Sequence, residues 1–213
     1  MQLYYFPPST YSQKVLIALE EKQITFEREI VNLFDEQVRN EYREMYPIGK
    51  IPLLKRNDGW IIPESSIIIE FLETEFPDAS QLIPEDTVLA RQTRFMDRMN
   101  DLYLNDPIAT MLFESWKPGD QQDEEKIANA RRNVEIIYQY MDKNLQDKEY
   151  LIGDFSMADC AAAPALLYAE QIFPFSEFTQ IAKYWNRLRE RDSIAKVLTH
   201  AQPYIEKLGA QAA

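Results

Sequence analysis

Apolar and polar positions change rhythm about a third of the way along the chain. Before that point short apolar runs alternate with amphipathic stretches. Gln2–Phe6 is an almost wholly apolar run that predicts a buried strand, and Ser12–Lys22 places Val15, Leu16 and Leu19 on one helical face. Thr25–Ile30 alternates β-branched and aromatic residues with charge, the pattern of a second strand. Glu36–Met45 predicts a polar helix. Leu53–Lys55 and Trp60–Ile62 flank Arg56-Asn57-Asp58-Gly59, whose Asp-Gly pair signals a hairpin. Ser65–Phe76 predicts a helix that stops before Pro77. The order β-α-β-α-β-β-α suits a parallel βαβ unit joined to an antiparallel hairpin and a closing helix.

Pro77–Asp86 has the composition of a linker, and everything beyond it carries helical periods. Thr87–Phe113 is one long helical pattern with a bend or break expected near Pro107. Glu124–Leu145 spaces Ile127, Ala130, Val134, Ile137, Met141 and Leu145 by three and four, an amphipathic stripe. Ser156–Ile172 is apolar nearly all round, as a central buried helix would be, and Pro164 within it implies a kink or a first-turn position. Glu177–Arg191 and Ser193–Gln202 complete the set. The expected fold is α+β over residues 1–77, a linker over 78–86 and an all-α bundle over 87–213.

Charge narrows the partners. The 213 residues hold 23 Lys and Arg against 35 Asp and Glu, a formal charge of −12. Binding to nucleic acid or an anionic membrane needs clustered cations, so neither is expected. With a single cysteine, Cys160, and a single histidine, His200, no disulfide and no zinc site of the usual ligands can be built. The chain opens on a strand, without a basic and then apolar leader, and lacks an apolar run long enough to span a bilayer. A cytoplasmic protein is expected.

Three stretches carry candidate chemistry. Tyr4-Tyr5-Phe6-Pro7-Pro8-Ser9-Thr10-Tyr11-Ser12 leads from a strand through a proline turn into a helix, pointing backbone N–H groups and the positive helix end at one place where an anion can be held. Ser9 adds a hydroxyl there, or serves as a plain helix cap. Pro52 cannot donate to a ladder bond, so it belongs at a strand edge or turn. A cis Ile51-Pro52 bond would turn the backbone of Ile51 outward toward an extended peptide ligand; a trans one would make an ordinary turn. Glu64-Ser65 opens a helix directly after a strand, either as a cap or as a clamp for an amino-acid head group, the helix end taking a carboxylate and Glu64 an ammonium.

Taken together, the Ser9 turn, Gly49-Lys50-Ile51-Pro52, the Asp-Gly hairpin and Pro63-Glu64-Ser65 resemble the thioredoxin-like domain of a cytosolic glutathione transferase of serine type. Leu151-Ile152-Gly153-Asp154-Phe155-Ser156-Met157-Ala158-Asp159 is similar to that family's second-domain signature, with Ser156 capping a helix and Asp159 returning a hydrogen bond. The resemblance implies a detoxifying homodimer that uses glutathione as co-substrate and no metal. It implies that Ser9 donates to the glutathione sulfur, with Tyr5 the alternative used by other classes. Ile51 would pair through its backbone with the cysteinyl unit beside Pro52, Glu64 and Ser65 would hold the γ-glutamyl end, and Lys50 would reach the glycyl carboxylate. Tyr11, Met99, Tyr103, Met111, Phe113 and Trp116 would line a pocket for a small hydrophobic electrophile, or be plain core. Asp97, Asn100 and Asp101 read as a solvated face, with a reach across a dimer axis as the other option. Cys160 reads as inert core, and His200 as structural or exposed.

Two rival functions share the fold. One is a non-enzymatic interaction protein, like the starvation proteins that contact RNA polymerase. The other is a glutathione-dependent isomerase of zeta-like type, whose Ser-Ser-Cys turn stands here as Ser9-Thr10-Tyr11.

Overall fold

A computed structural model describes residues 1–212. Strands β1 (Gln2–Tyr5), β2 (Glu27–Ile30), β3 (Leu53–Lys55) and β4 (Ile61–Pro63) form one four-stranded sheet in the order β2-β1-β3-β4. β1 runs parallel to β2 and antiparallel to β3, and β3 runs antiparallel to β4. The crossover between β1 and β2 is helix α1 (Thr10–Glu21); α2 (Glu36–Met45) precedes β3, and α3 (Ser65–Glu75) follows β4. This is the expected βαβαββα order.

The alternation of β1 sorts its side chains to two faces. Leu3 sits opposite Leu54, which sits opposite Ile62, and this row is buried with α1 and α3. Tyr4 and Leu53 point the other way, into a smaller cluster with Val31, Tyr42 and Tyr46 under α2. β2 is shorter than the pattern predicts and all four of its residues are exposed. An edge strand has no second neighbour to bury its side chains, so charge is tolerated on either face. The hairpin turns as expected: Arg56 N donates to Trp60 O at 2.8 Å around a three-residue loop, with Gly59 at φ 90°.

The remaining helices are α4 (Thr87–Met99), α5 (Asp106–Ser115), α6 (Glu124–Asn144), α7 (Met157–Ile172), α8 (Thr179–Arg189) and α9 (Asp192–Ala212). The break expected near Pro107 takes a specific form. α4 runs without interruption through a π-helical segment, Asn100–Asn105, into α5, where Pro107 occupies the first turn. Pro107 has no N–H, and its ring would meet the carbonyl four residues back; the wider π turn, with Asp106 N bonded to Asp101 O, makes room. α9 runs ten residues past its expected end at Gln202, carrying Pro203 in its interior.

α7 is the hub. Met157 through Ala163 are buried without a gap, and small residues there let α1 pack closely against it. A single hydrophobic core therefore passes from the sheet, through α1, into the bundle. The linker is pinned too: Leu82 N donates to Glu73 Oε1 at 3.1 Å, and Leu82 O accepts from Met157 N at 2.8 Å. Asp159, fully buried, accepts from Ser156 N (2.8 Å), Ser156 Oγ (3.0 Å), Leu151 N (3.1 Å) and Tyr184 Oη (2.6 Å). Replacing it strands several buried donors at once. Asp159→Ala is expected to lower unfolding stability by about 3 kcal/mol in urea denaturation, whereas a loss below about 1 kcal/mol would show the junction to be dispensable.

Candidate functional site

The site is assembled by strand register. Tyr4 pairs with Leu53, and Leu53 with Pro63. The end of β1, the start of β3 and the end of β4 therefore lie side by side at one end of the sheet. The Ser9 turn, Ile51-Pro52 and Glu64-Ser65 are the three segments that leave that end.

At the first of them the turn is braced from several sides. Gln13 Nε2 donates to Pro7 O at 2.8 Å, Tyr168 Oη of α7 donates to Pro8 O at 2.6 Å, and Phe6 N donates to Ser12 Oγ at 3.2 Å. Ser9 is the N-cap of α1: its Oγ accepts from Ser12 N at 3.3 Å. The cap uses a lone pair and leaves the Ser9 O–H free to donate. Tyr5 is placed differently. It is 1% exposed within the core, and its hydroxyl meets His200 Nε2 at 3.0 Å. Burial pushes its phenol above the ordinary value. His200, read from the sequence as structural or exposed, is thus tied to β1, and burial lowers its imidazole pKa.

The Ile51-Pro52 peptide bond is cis. Tyr42 Oη donates to Lys50 O at 2.8 Å, holding this loop to α2, while the Lys50 side chain is exposed. Glu64 has φ 68° and ψ 122°, a left-handed conformation that costs a non-glycine residue of order 1 kcal/mol. It lies exposed at the start of α3 and gives that helix no side-chain cap, so the first N–H groups of α3, beginning at buried Ser65, are left for a ligand.

The apolar candidates divide. Phe113 and Trp116 lie 5.2 Å apart between ring centroids, and Trp116 continues to Phe34 (6.1 Å), Phe34 to Phe6 (6.2 Å) and Phe6 to Tyr204 (6.2 Å). This aromatic run passes through the Ser9 turn itself. Tyr11 belongs to the first turn of α1 and donates to Asp106 Oδ1 at 2.8 Å. Met111 does not join: it is core, and Met99 packs against the same core from the edge. Tyr103 is half exposed on the π segment. Phe6, Phe34 and Tyr204 were not anticipated. Phe34 follows β2, which is parallel to β1 and so ends at the same end of the sheet, and that was a usable signal.

Asp97, Asn100 and Asp101 are not a solvated face. All three are buried, Asp97 and Asp101 against Lys14 of α1 and Asn100 against α7. Lys14 Nζ lies 2.5 Å from Asp97 Oδ1 and 2.9 Å from Asp101 Oδ2, and donates to Ser66 Oγ at 2.9 Å; Ser66 Oγ in turn donates to Asp97 Oδ2 at 2.7 Å. Asn100 Nδ2 donates to Ala158 O of α7 at 3.0 Å. Cys160 is buried as expected, and burial pushes its thiol well up. A cleft of about 720 Å³ lies at the far end of α1, lined by Glu20, Glu21, Phe26 and Arg191 among others, and includes none of the residues above.

Residues 3–80 match the family model of the glutathione S-transferase N-terminal domain, and residues 104–192 match that of the C-terminal domain. Glutathione S-transferase U26 of Arabidopsis thaliana is 30% identical over 208 residues, covering 93% of this chain and 89% of that protein. Glutathione S-transferase 2 of Saccharomyces cerevisiae is 27% identical over 211 residues, covering 93% and 89%. A crystal structure of a glutathione S-transferase from Methylobacillus flagellatus with GSH bound is similar at a TM-score of 0.84 and 26% identity, covering 92% of this chain and 98% of that one. The chain belongs to the glutathione S-transferase family, with its thioredoxin-like domain followed by a helical one.

Burial, opposed by Lys14 and assisted by Asp97, pushes the Asp101 carboxyl up to about 6. Folded Asp101 therefore takes up its proton before the unfolded chain does. Its contribution to stability grows as pH falls through about 6 toward the unfolded value near 3.9 and diminishes as pH rises. The melting temperature of the wild type is expected to gain on that of Asp101→Asn between about pH 7 and pH 5. A gap that stays constant over that range would contradict the assignment.

Proposed function

We propose that the protein is a glutathione transferase that holds glutathione as its thiolate at the head of α1 and directs it at a small hydrophobic electrophile. The observation that carries this reading is the pairing of Tyr4, Leu53 and Pro63, which brings the Ser9 turn, Ile51-Pro52 and Glu64-Ser65 to one end of the sheet. Ser9 donates its free O–H to the sulfur, and with the N–H groups of α1 lowers the thiol's pKa from about 8.5. Ile51 pairs through its backbone with the cysteinyl unit beside Pro52. Glu64 takes the γ-glutamyl ammonium, Ser65 and the uncapped start of α3 take its carboxylate, and Lys50 reaches the glycyl carboxylate as a mobile point charge.

The reaction is simple in its balance. The S–H proton leaves to solvent, and the sulfur lone pair forms a bond to the electrophilic carbon. Either a leaving group departs with its electron pair or the adduct takes up a proton. The protein contributes thiolate stabilisation and proximity. Tyr11, Phe113 and Trp116, extended by Phe34 and Phe6, are the side chains we assign to the electrophile's pocket, with Tyr103 at its outer edge; the burial of Met99 and Met111 in or against the core argues against them. Ser9 is preferred to Tyr5 because Tyr5 is engaged with His200 and its phenol is made a weaker acid by burial. We read the chain as divided at 1–77, 78–86 and 87–213, and as an intracellular, detoxifying homodimer. Its charge of −12 argues against nucleic acid or anionic membrane as a partner.

Glutathione at about a hundred times its dissociation constant should stabilise the fold by about 2.7 kcal/mol, read as a rise in melting temperature. No rise at millimolar glutathione would favour the non-enzymatic reading. Ser9→Ala is expected to raise the bound thiol's pKa, followed by thiolate absorbance, and to cut turnover about 100-fold while glutathione affinity changes little. The same loss in Tyr5→Phe, with Ser9→Ala unaffected, would transfer the role to Tyr5.

A further inference from the structure

The start of α3 is the least self-supported part of the site. Glu64 adopts a left-handed backbone and gives no side-chain cap, while its carbonyl accepts from Ile68 N at 2.9 Å. A polar contact that ties this first turn to α1 and α4 comes through Ser66. Its hydroxyl accepts from Lys14 Nζ at 2.9 Å and donates to Asp97 Oδ2 at 2.7 Å.

Lys14 is 1% exposed; its ammonium donates to Ser66 Oγ at 2.9 Å and to both carboxylate oxygens of Asp101 at 3.1 and 2.9 Å, and it is ion-paired with Asp97. An apolar contact would fix the spacing of α1 and α3 but not their angle. A buried ammonium held between Asp97, Asp101 and Ser66 constrains both, because its partners sit on different elements. Buried ions are costly to desolvate and give weak support for stability as such, so geometry is the benefit to look for. The helical run that carries both aspartates also receives Tyr11, whose hydroxyl donates to Asp106 Oδ1 at 2.8 Å. The first turns of α1 and α3 are thus referred to the same stretch of chain, Asp97 to Asp106.

We propose that Lys14, acting through Ser66, is the positioning residue of the γ-glutamyl clamp, holding Glu64 and Ser65 at the angle where they grip the ligand whose sulfur Ser9 receives. This rests on reading the site as a glutathione site. Lys14 touches no substrate atom; it acts through Ser66 on the helix that does.

Lys14→Met would strand two buried carboxylates and threatens the fold, so the decisive variant is Ser66→Ala. It removes the link to α3 and leaves Lys14 paired with both aspartates. We expect its dissociation constant for glutathione, by calorimetry, to rise about tenfold, the equivalent of one hydrogen bond. Its kcat at saturating glutathione should stay within about twofold, and Ser66→Thr, which keeps the hydroxyl, should restore the affinity. A Ser66→Ala protein that melts lower but binds glutathione like wild type has lost only packing, and overturns the proposal; so does a Ser66→Thr protein as weak as Ser66→Ala. A wild-type protein that binds no glutathione overturns the reading underneath, and that result appears before any variant is made.

Discussion

Antiparallel pairing of β3 with both β1 and β4 is the constraint on which the rest depends. Each antiparallel step reverses the chain, so the end of one strand always meets the start of the next. With Tyr4 opposite Leu53 and Leu53 opposite Pro63, the three connections that leave this end of the sheet converge without any long-range search. A slip of one residue would turn Leu3, Leu54 and Ile62 out of the core, and the burial of that row holds the register. The geometry of the site is thus secured by side chains that take no part in it.

The second layer of constraint is the way the bundle reads the position of α1. Tyr168 of α7 bonds to the Ser9 turn, Lys14 of α1 bonds to Asp97 and Asp101, and the small residues of α7 allow a close approach. The two parts share one core rather than meeting across a polar seam. Movement of one against the other would have to break buried ion pairs and expose apolar surface together.

Local rules read from the chain worked where a feature is set by its near neighbours. The Asp-Gly hairpin, the Glu36–Met45 helix and the Ser156–Asp159 junction each depend on residues a few positions apart, and each stands where expected. Features that depend on a distant partner were less legible. Asp97 and Asp101 look like surface acids until Lys14 is known to lie opposite, 83 and 87 positions away. The aromatic run joins Phe6, Phe34, Trp116 and Tyr204 from four separated stretches of the chain, and no single stretch advertises it. α9 passes its expected end at Gln202 and carries Pro203 within it. Ser9, Ile51-Pro52 and Glu64-Ser65 were individually ambiguous in the sequence, and the strand register brings them to a common end of the sheet.

The π segment between α4 and α5 carries one further implication. A π turn amounts to one residue inserted into an α-helix, which advances everything beyond it by about 100° around the axis. α4 can therefore turn Asp97 inward to Lys14 while α5 presents Phe113 and Trp116 on a different bearing. Deleting a single residue there would press the Pro107 ring on the preceding turn and rotate the aromatic run relative to Ser9. The width of one helical turn thus acts as a phase setting between the ionic anchor and the aromatic run, one that insertions or deletions could reset without altering any side chain in either.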